Sequence, residues 1–360
     1  MKIQSCLGIG HGTKIACPVY QLRSDTSLEY GQLMRLIMAD PSVPVREYVF
    51  PPLEDSEEYV ITYTALVVLH QLGIDLQNLR SKSIIPSSVA AEAQYEADVI
   101  LQRNSKDVVA SLGVQDEQVQ VFQPPEETIR KAIQDAAAFK RYTAALPAVE
   151  NTEDVTLPEL RGIALPELIG ICDYDALVLA HTRGAALVTS EMMAAGLTQL
   201  EAVRSRAIGF ADFLCKIGLE FTTLLDALKQ MLQYRFCAVI TPTVILHVIE
   251  AHNAAGDEEK RTIERMWGDI LAVPASLEDE NYIHIFINAC IESIQMLHTR
   301  KMFSQHPIIA MLNCAVFRYN GGRVELGIQE GKLYYRIVHP DSKRAVEDIN
   351  LSKNEETDCF

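Results

Sequence analysis

Residues 173–191 read DYDALVLAHTRGAALVTSE, and this stretch decides the fold. The apolar spacing predicts a helix from about Tyr174 to Thr182, with Gly184 as its stop. The continuous apolar run AALVT that follows reads as a strand covered on both faces, delivering Ser190 and Glu191 at its end. A helix feeding a fully buried strand is half of a repeating unit, and the other halves lie upstream.

EYVITYTA (58–65) alternates β-branched and aromatic residues like a short strand and runs into LVVLHQLG (66–73), a buried helix ended by Gly73. KSIIP (82–86) is a second short strand, after which Ser87 or Ser88 caps a helix from Val89 to about Gln102. A weaker strand is expected at QVQVF (118–122), and Pro124-Pro125 opens a helix from Glu126 to about Ala144. Residues 147–168, rich in Pro, Glu and Thr, read as a long loop. Strands alternating with helices imply an α/β protein with a small parallel sheet flanked by helices and function at the carboxyl ends of its strands.

Outside this core the texture changes twice. Residues 1–56 carry one helix, Ser27 to Ala39, and then a proline-rich linker through Pro51 and Pro52 into the acids Glu54, Asp55, Glu57 and Glu58. The core spans 57–200. A mainly helical region follows at 201–304, with helices expected at Val203–Lys216, Thr222–Gln233, Pro242–Asn253, Glu258–Leu271 and Asp279 to about Met302, and a strand at YRFCAVI (234–240). Residues 305–345 hold RVELGIQEGKLYYRIVH (323–339), a C-terminal β-hairpin turning at Glu330-Gly331, and 346–360 form a charged tail.

Composition narrows the function classes. With 48% apolar and 22% charged residues the chain is globular in character. No run reaches the roughly 18 apolar residues of a membrane span, and the start is a poor secretory signal, so a cytoplasmic location without membrane contact is expected. The eight cysteines (6, 17, 172, 215, 237, 290, 314 and 359) show no paired spacing and read as reduced thiols. A net charge of −16 argues against a protein that tracks long nucleic acid, which needs a basic stripe. The cations of the 126–144 helix do not make one, because Lys131 and Lys140 lie about 180° apart around it.

Three stretches resemble the PIN domain, the fold of metal-dependent RNA-cutting nucleases: VITYTALVVLHQLG (60–73), IIPSSVAAEAQYEA (84–97) and DYDALVLAHTRGAALVTSE (173–191). The resemblance implies a carboxylate site that binds Mg²⁺ or Mn²⁺, built from Glu92, Asp175 and Glu191 with Asp173 as a spare. Such hard cations take oxygen ligands and activate water against a phosphodiester. It departs from the family at the first strand, where Thr62 stands in place of an aspartate; a hydroxyl can ligate the ion but brings no charge. Two readings follow. The first is an endoribonuclease acting on a short, locally held single-stranded RNA. The second is a catalytically degenerate PIN-like platform, with the helical region 201–304 contacting a protein partner. Without the resemblance, Glu92 and Glu96, one turn apart, would read as solvated surface charges. Asp175 would read as a charge favoured by a helix dipole.

Other motifs are weaker. GIGHGTK (8–14) lacks the spacing of a phosphate-binding loop, and His247 and His252 are five apart, not the four that place two zinc ligands on one helical face.

Overall fold

The computed structural model describes residues 58–75, 79, 82–104, 111–115, 118–122, 125–151, 157, 165–189, 197–198, 205–236, 238–298, 306–319, 324–329, 332–337 and 347–349. Glu191, the segment 1–56 with its expected helix, and GIGHGTK lie outside them. The described residues fall into two compact units, one ending at Ala207 and one starting at Ile208. No helix among them is long and apolar enough to cross a membrane.

The first unit is α/β and built on a five-stranded sheet. Strand β1 (Tyr59–Ile61) leads to α1 (Tyr63–Gln71), and β2 (Ser83–Pro86) leads to α2 (Ser87–Asn104). A separate antiparallel pair, β3 (Ser111–Gln115) and β4 (Gln118–Phe122), precedes α3 (Glu126–Ala144). Then come β5 (Ala148–Val149), α4 (Leu165–Ile169), α5 (Ile171–Arg183), β6 (Ala186–Val188) and β7 (Arg206–Ile208). The sheet order is β5-β2-β1-β6-β7, with β5–β2, β2–β1 and β1–β6 parallel.

Several elements start where local chemistry dictates. Pro125 precedes α3, as a residue without an N–H suits a helix entrance. Gly184 ends α5 at φ 62°, a left-handed conformation in which a side chain would be strained. From there the chain passes directly into β6, whose three residues are all buried, as an interior parallel strand requires. Beneath the sheet, Val60, Ile84, Leu165, Ile169, Leu177 and Leu187 form one core cluster. Each such side chain contributes about 1.5–3 kcal/mol by leaving water. Elsewhere in the unit Phe139 of α3 packs edge-on against Tyr63 and His70 of α1.

Four expectations need correction. The first strand stops at Ile61, because Thr62 already caps α1. QVQVF pairs in the β3–β4 ribbon and not in the parallel sheet. The stretch expected as a loop holds β5, whose two residues line the edge of β2, and also α4. The helix expected from Val203 begins only at Phe210, since Arg206–Ile208 forms β7.

The second unit's described helices are α6 (Phe210–Lys216), α7 (Phe221–Gln233), α8 (Pro242–Ala254), α9 (Asp257–Ser276), α10 (Glu280–His298) and α11 (Pro307–Tyr319). Pro307–Tyr319 falls where no helix was expected. YRFCAVI is a turn and not a strand: Arg235 sits at φ 62° just past α7 and pairs with Asp279 at 3.5 Å. The Tyr282 hydroxyl of α10 donates to the carbonyls of Leu232 (3.3 Å) and Phe236 (2.9 Å), giving this turn the partners a strand ladder would have supplied. Trp267 is fully buried, and its Nε1 donates to the Ile308 carbonyl at 3.2 Å.

Candidate functional site

Taken in chain order, the sheet strands stand 3-2-1-4-5, so the direction of winding reverses between β1 and β6. Ligands of open α/β sheets bind outside the carboxyl ends of the strands at such a reversal. Thr62 follows β1 there and Thr189 follows β6, both fully buried. Helices α1 and α2 begin directly after β1 and β2. Helix α5 runs toward the entrance of β6, so its first turn lies at the same edge. Three helix amino ends, which carry positive dipole character, thus lie at one edge of the sheet.

Thr62 holds the seam between the central strands. Its Oγ1 donates to the Val188 carbonyl at 3.0 Å and accepts from the Ala65 N–H at 3.3 Å, while its backbone N–H donates to the same Val188 oxygen at 3.3 Å. The hydroxyl hydrogen therefore serves the fold at the position where the resemblance expected an acid.

The acids expected on the other elements are distributed as follows. Glu92 is half-buried on α2, one turn beyond Ser88. Asp173 is 4% exposed in the first turn of α5. Asp175 is half-buried, and its backbone carbonyl accepts from Asn151 Nδ2 at 3.1 Å. The Cys172 thiol points to the Ser88 carbonyl at 3.7 Å, so α5 and α2 meet at this edge, within a turn of Glu92, Asp173 and Asp175. Among the described residues no three His, Cys, Asp or Glu side chains are grouped closely enough to hold a metal ion. Glu191 belongs to none of these statements.

One functional-looking pair was not anticipated. Glu96, read from the sequence as a surface charge, is 2% exposed and accepts a hydrogen bond from the Tyr63 hydroxyl at 2.6 Å. Burial pushes the Tyr63 phenol well above its usual range, and the Glu96 carboxylate pushes it further, with smaller contributions from Glu92 and Cys172. Glu92 stands one turn before Glu96 on α2. The signal was present in the sequence: Val89, Ala93, Glu96, Ala97 and Ile100 share the buried stripe of α2, so Glu96 is an acid on the apolar face.

Two of the four cations of α3 are engaged by acids. Arg130 pairs with Glu126 at 2.9 Å and Lys140 with Asp98 at 2.6 Å. Cys172, Cys215, Cys290 and Cys314 are not joined in disulfides. Comparison of the chain with protein-family models, with curated proteins and with solved structures finds no match.

Proposed function

We propose that the first unit is a PIN-like module whose strand-end edge binds Mg²⁺ or Mn²⁺ and hydrolyses phosphodiester bonds of single-stranded RNA. The observation that carries the reading is the winding reversal between β1 and β6, with the acid-bearing helices α2 and α5 starting at the same carboxyl edge of the sheet. Glu92 and Asp175, with Glu191 and Asp173, would hold the ion. Carboxylate oxygens are the hard donors such ions take, and Mg²⁺ needs only one or two of them when phosphate supplies the rest. The ion would supply a polarised water and offset charge on the phosphate. The helix amino ends would orient that phosphate through their N–H groups.

The test is cleavage of a single-stranded RNA in Mn²⁺. Activity is expected to vanish with chelator and to fall at least about 100-fold in Asp175→Asn or Glu92→Gln, a loss typical of removing one charged catalytic group, with melting temperature unchanged. Equal cutting by both variants and the parent defeats the proposal.

A second reading, a catalytically degenerate PIN-like platform whose helical region 201–304 contacts a protein partner, is favoured by one observation: the Thr62 hydroxyl is committed to Val188 and Ala65. Calorimetric titration with Mn²⁺ separates the two. Micromolar binding, tightened by Thr62→Asp, supports the nuclease, and an absence of heat in both proteins supports the platform.

A further inference from the structure

Three helices of the second unit meet at a pair of histidines. His306 is the amino cap of α11: its carbonyl accepts from the Ala310 N–H at 2.9 Å, and its ring Nδ1 accepts from the Ile308 N–H at 3.3 Å. A ring nitrogen accepts only while it carries no proton, so this cap belongs to the neutral imidazole. The ring's one hydrogen then sits on Nε2, which faces Asn253 Oδ1 of α8 at 3.3 Å. A cap made by Ser, Thr or Asn keeps its acceptor at any pH, and a histidine cap does not.

The surroundings resist a charge on this ring. His252 of α8, 6% exposed, stands edge-on to it with ring centres 5.0 Å apart, and its Nε2 meets Glu264 Oε1 of α9 at 3.0 Å. The groups whose fields reach His306 are His252 from α8 and Glu264 and Lys260 from α9, and no other described element adds to them. Burial, then His252, and more weakly Lys260 hold the His306 pKa below its ordinary 6.5, against the pull of Glu264. A proton on Nδ1 would also set a positive charge at a helix amino end, where the dipole opposes it. The turn that this cap holds reaches α9. Ile308, fully buried, accepts at its carbonyl from Nε1 of Trp267, which is the chain's single tryptophan.

We infer that His306 is an acid-operated clasp: its unprotonated ring holds the first turn of α11 against α9, and protonation opens that turn and uncovers Trp267. The inference concerns the second unit and stands apart from the nuclease reading. Because the folded-state pKa is depressed, the cap's stabilisation is whole above pH 6.5 and is lost as pH falls through the lower folded value.

The experiment is tryptophan emission of the full chain followed from about pH 8 to about pH 5, the range in which histidine changes charge. For the parent the emission maximum is expected to move to longer wavelength in one reversible step with its midpoint below 6.5. In histidine-labelled protein the magnetic resonance signal of the His306 ring should titrate with the same midpoint. His306→Asn, whose side-chain oxygen caps without titrating, is expected to abolish the step and keep the neutral-pH emission. An emission that stays put in the parent, or a step whose midpoint differs from that of the His306 ring, overturns the inference, as does an equal step in His306→Asn. Loss of most of the helical circular dichroism over the same range overturns it too, since the whole unit and not one turn would then be opening.

Discussion

Each unit buries a carboxyl group that takes a hydrogen bond from a hydroxyl, and the two pairs are built differently. In the first unit Glu96 accepts from Tyr63, the residue directly after the cap of α1, and Glu92 stands one turn before it on α2. In the second, Asp212 of α6 accepts from Thr241, whose same oxygen caps α8 by accepting from the Val244 N–H at 3.2 Å. Asp212 is 2% exposed, and burial raises its carboxyl from 3.8 to about 7 despite that hydrogen bond and nearby Lys216. The first pair joins two helices that start at the carboxyl edge of the sheet; the second is one residue's side chain tied to a helix start. A buried acid is therefore no mark of function by itself. Its neighbours decide.

The contrast can be broken by experiment, beginning with Asp212. Its folded-state pKa lies above its unfolded value, so the folded protein holds the proton more tightly. The stabilisation is complete below pH about 4 and is lost as pH rises through about 7. Across that window unfolding free energy should decline on the order of 4 kcal/mol, and Asp212→Asn should flatten the decline. Urea melts at successive pH values measure this, and an unaltered slope in the variant would show that Asp212 is not the group titrating. Next in size, Thr241→Val removes both the helix cap and the hydrogen bond to Asp212 and should cost about 2–3 kcal/mol, largely restored by Thr241→Ser. If Val and Ser melt alike, the shared oxygen has no structural role. The smallest effect belongs to the first unit. Tyr63→Phe removes one hydrogen bond from a buried carboxylate and should cost about 1–2 kcal/mol, with much of the loss recovered when Glu96→Met is added. A loss that the second substitution deepens would mean that Glu96 serves groups other than the phenol.

Where the fold could be read in advance, a local cause was written in the sequence. Pro124-Pro125 and Gly184 announce the start of α3 and the end of α5, and both elements lie where these residues put them. The misses share a physical reason. β5 and β7 have two and three residues, too few to show a period, and are strands only because the rest of the sheet supplies their partners. YRFCAVI has strand composition, but Tyr282, nearly fifty residues on, fixes it as a turn. Glu92 and Asp175 were singled out only through the resemblance, and each lies in the second turn of its helix. Glu96 was passed over because residue type was weighed ahead of its place on the buried stripe of α2. What the Thr62 oxygen does depends on Val188, 126 residues away, which no local pattern reveals.

That tie has a consequence for the sheet. A carboxylate at position 62 would set one oxygen against the Val188 carbonyl oxygen, two like partial charges in a water-poor place, a conflict that a bound cation or a proton relieves. A hydroxyl closes the same gap with its own hydrogen. The central seam of the sheet is thereby closed by a hydrogen bond supplied from within the chain.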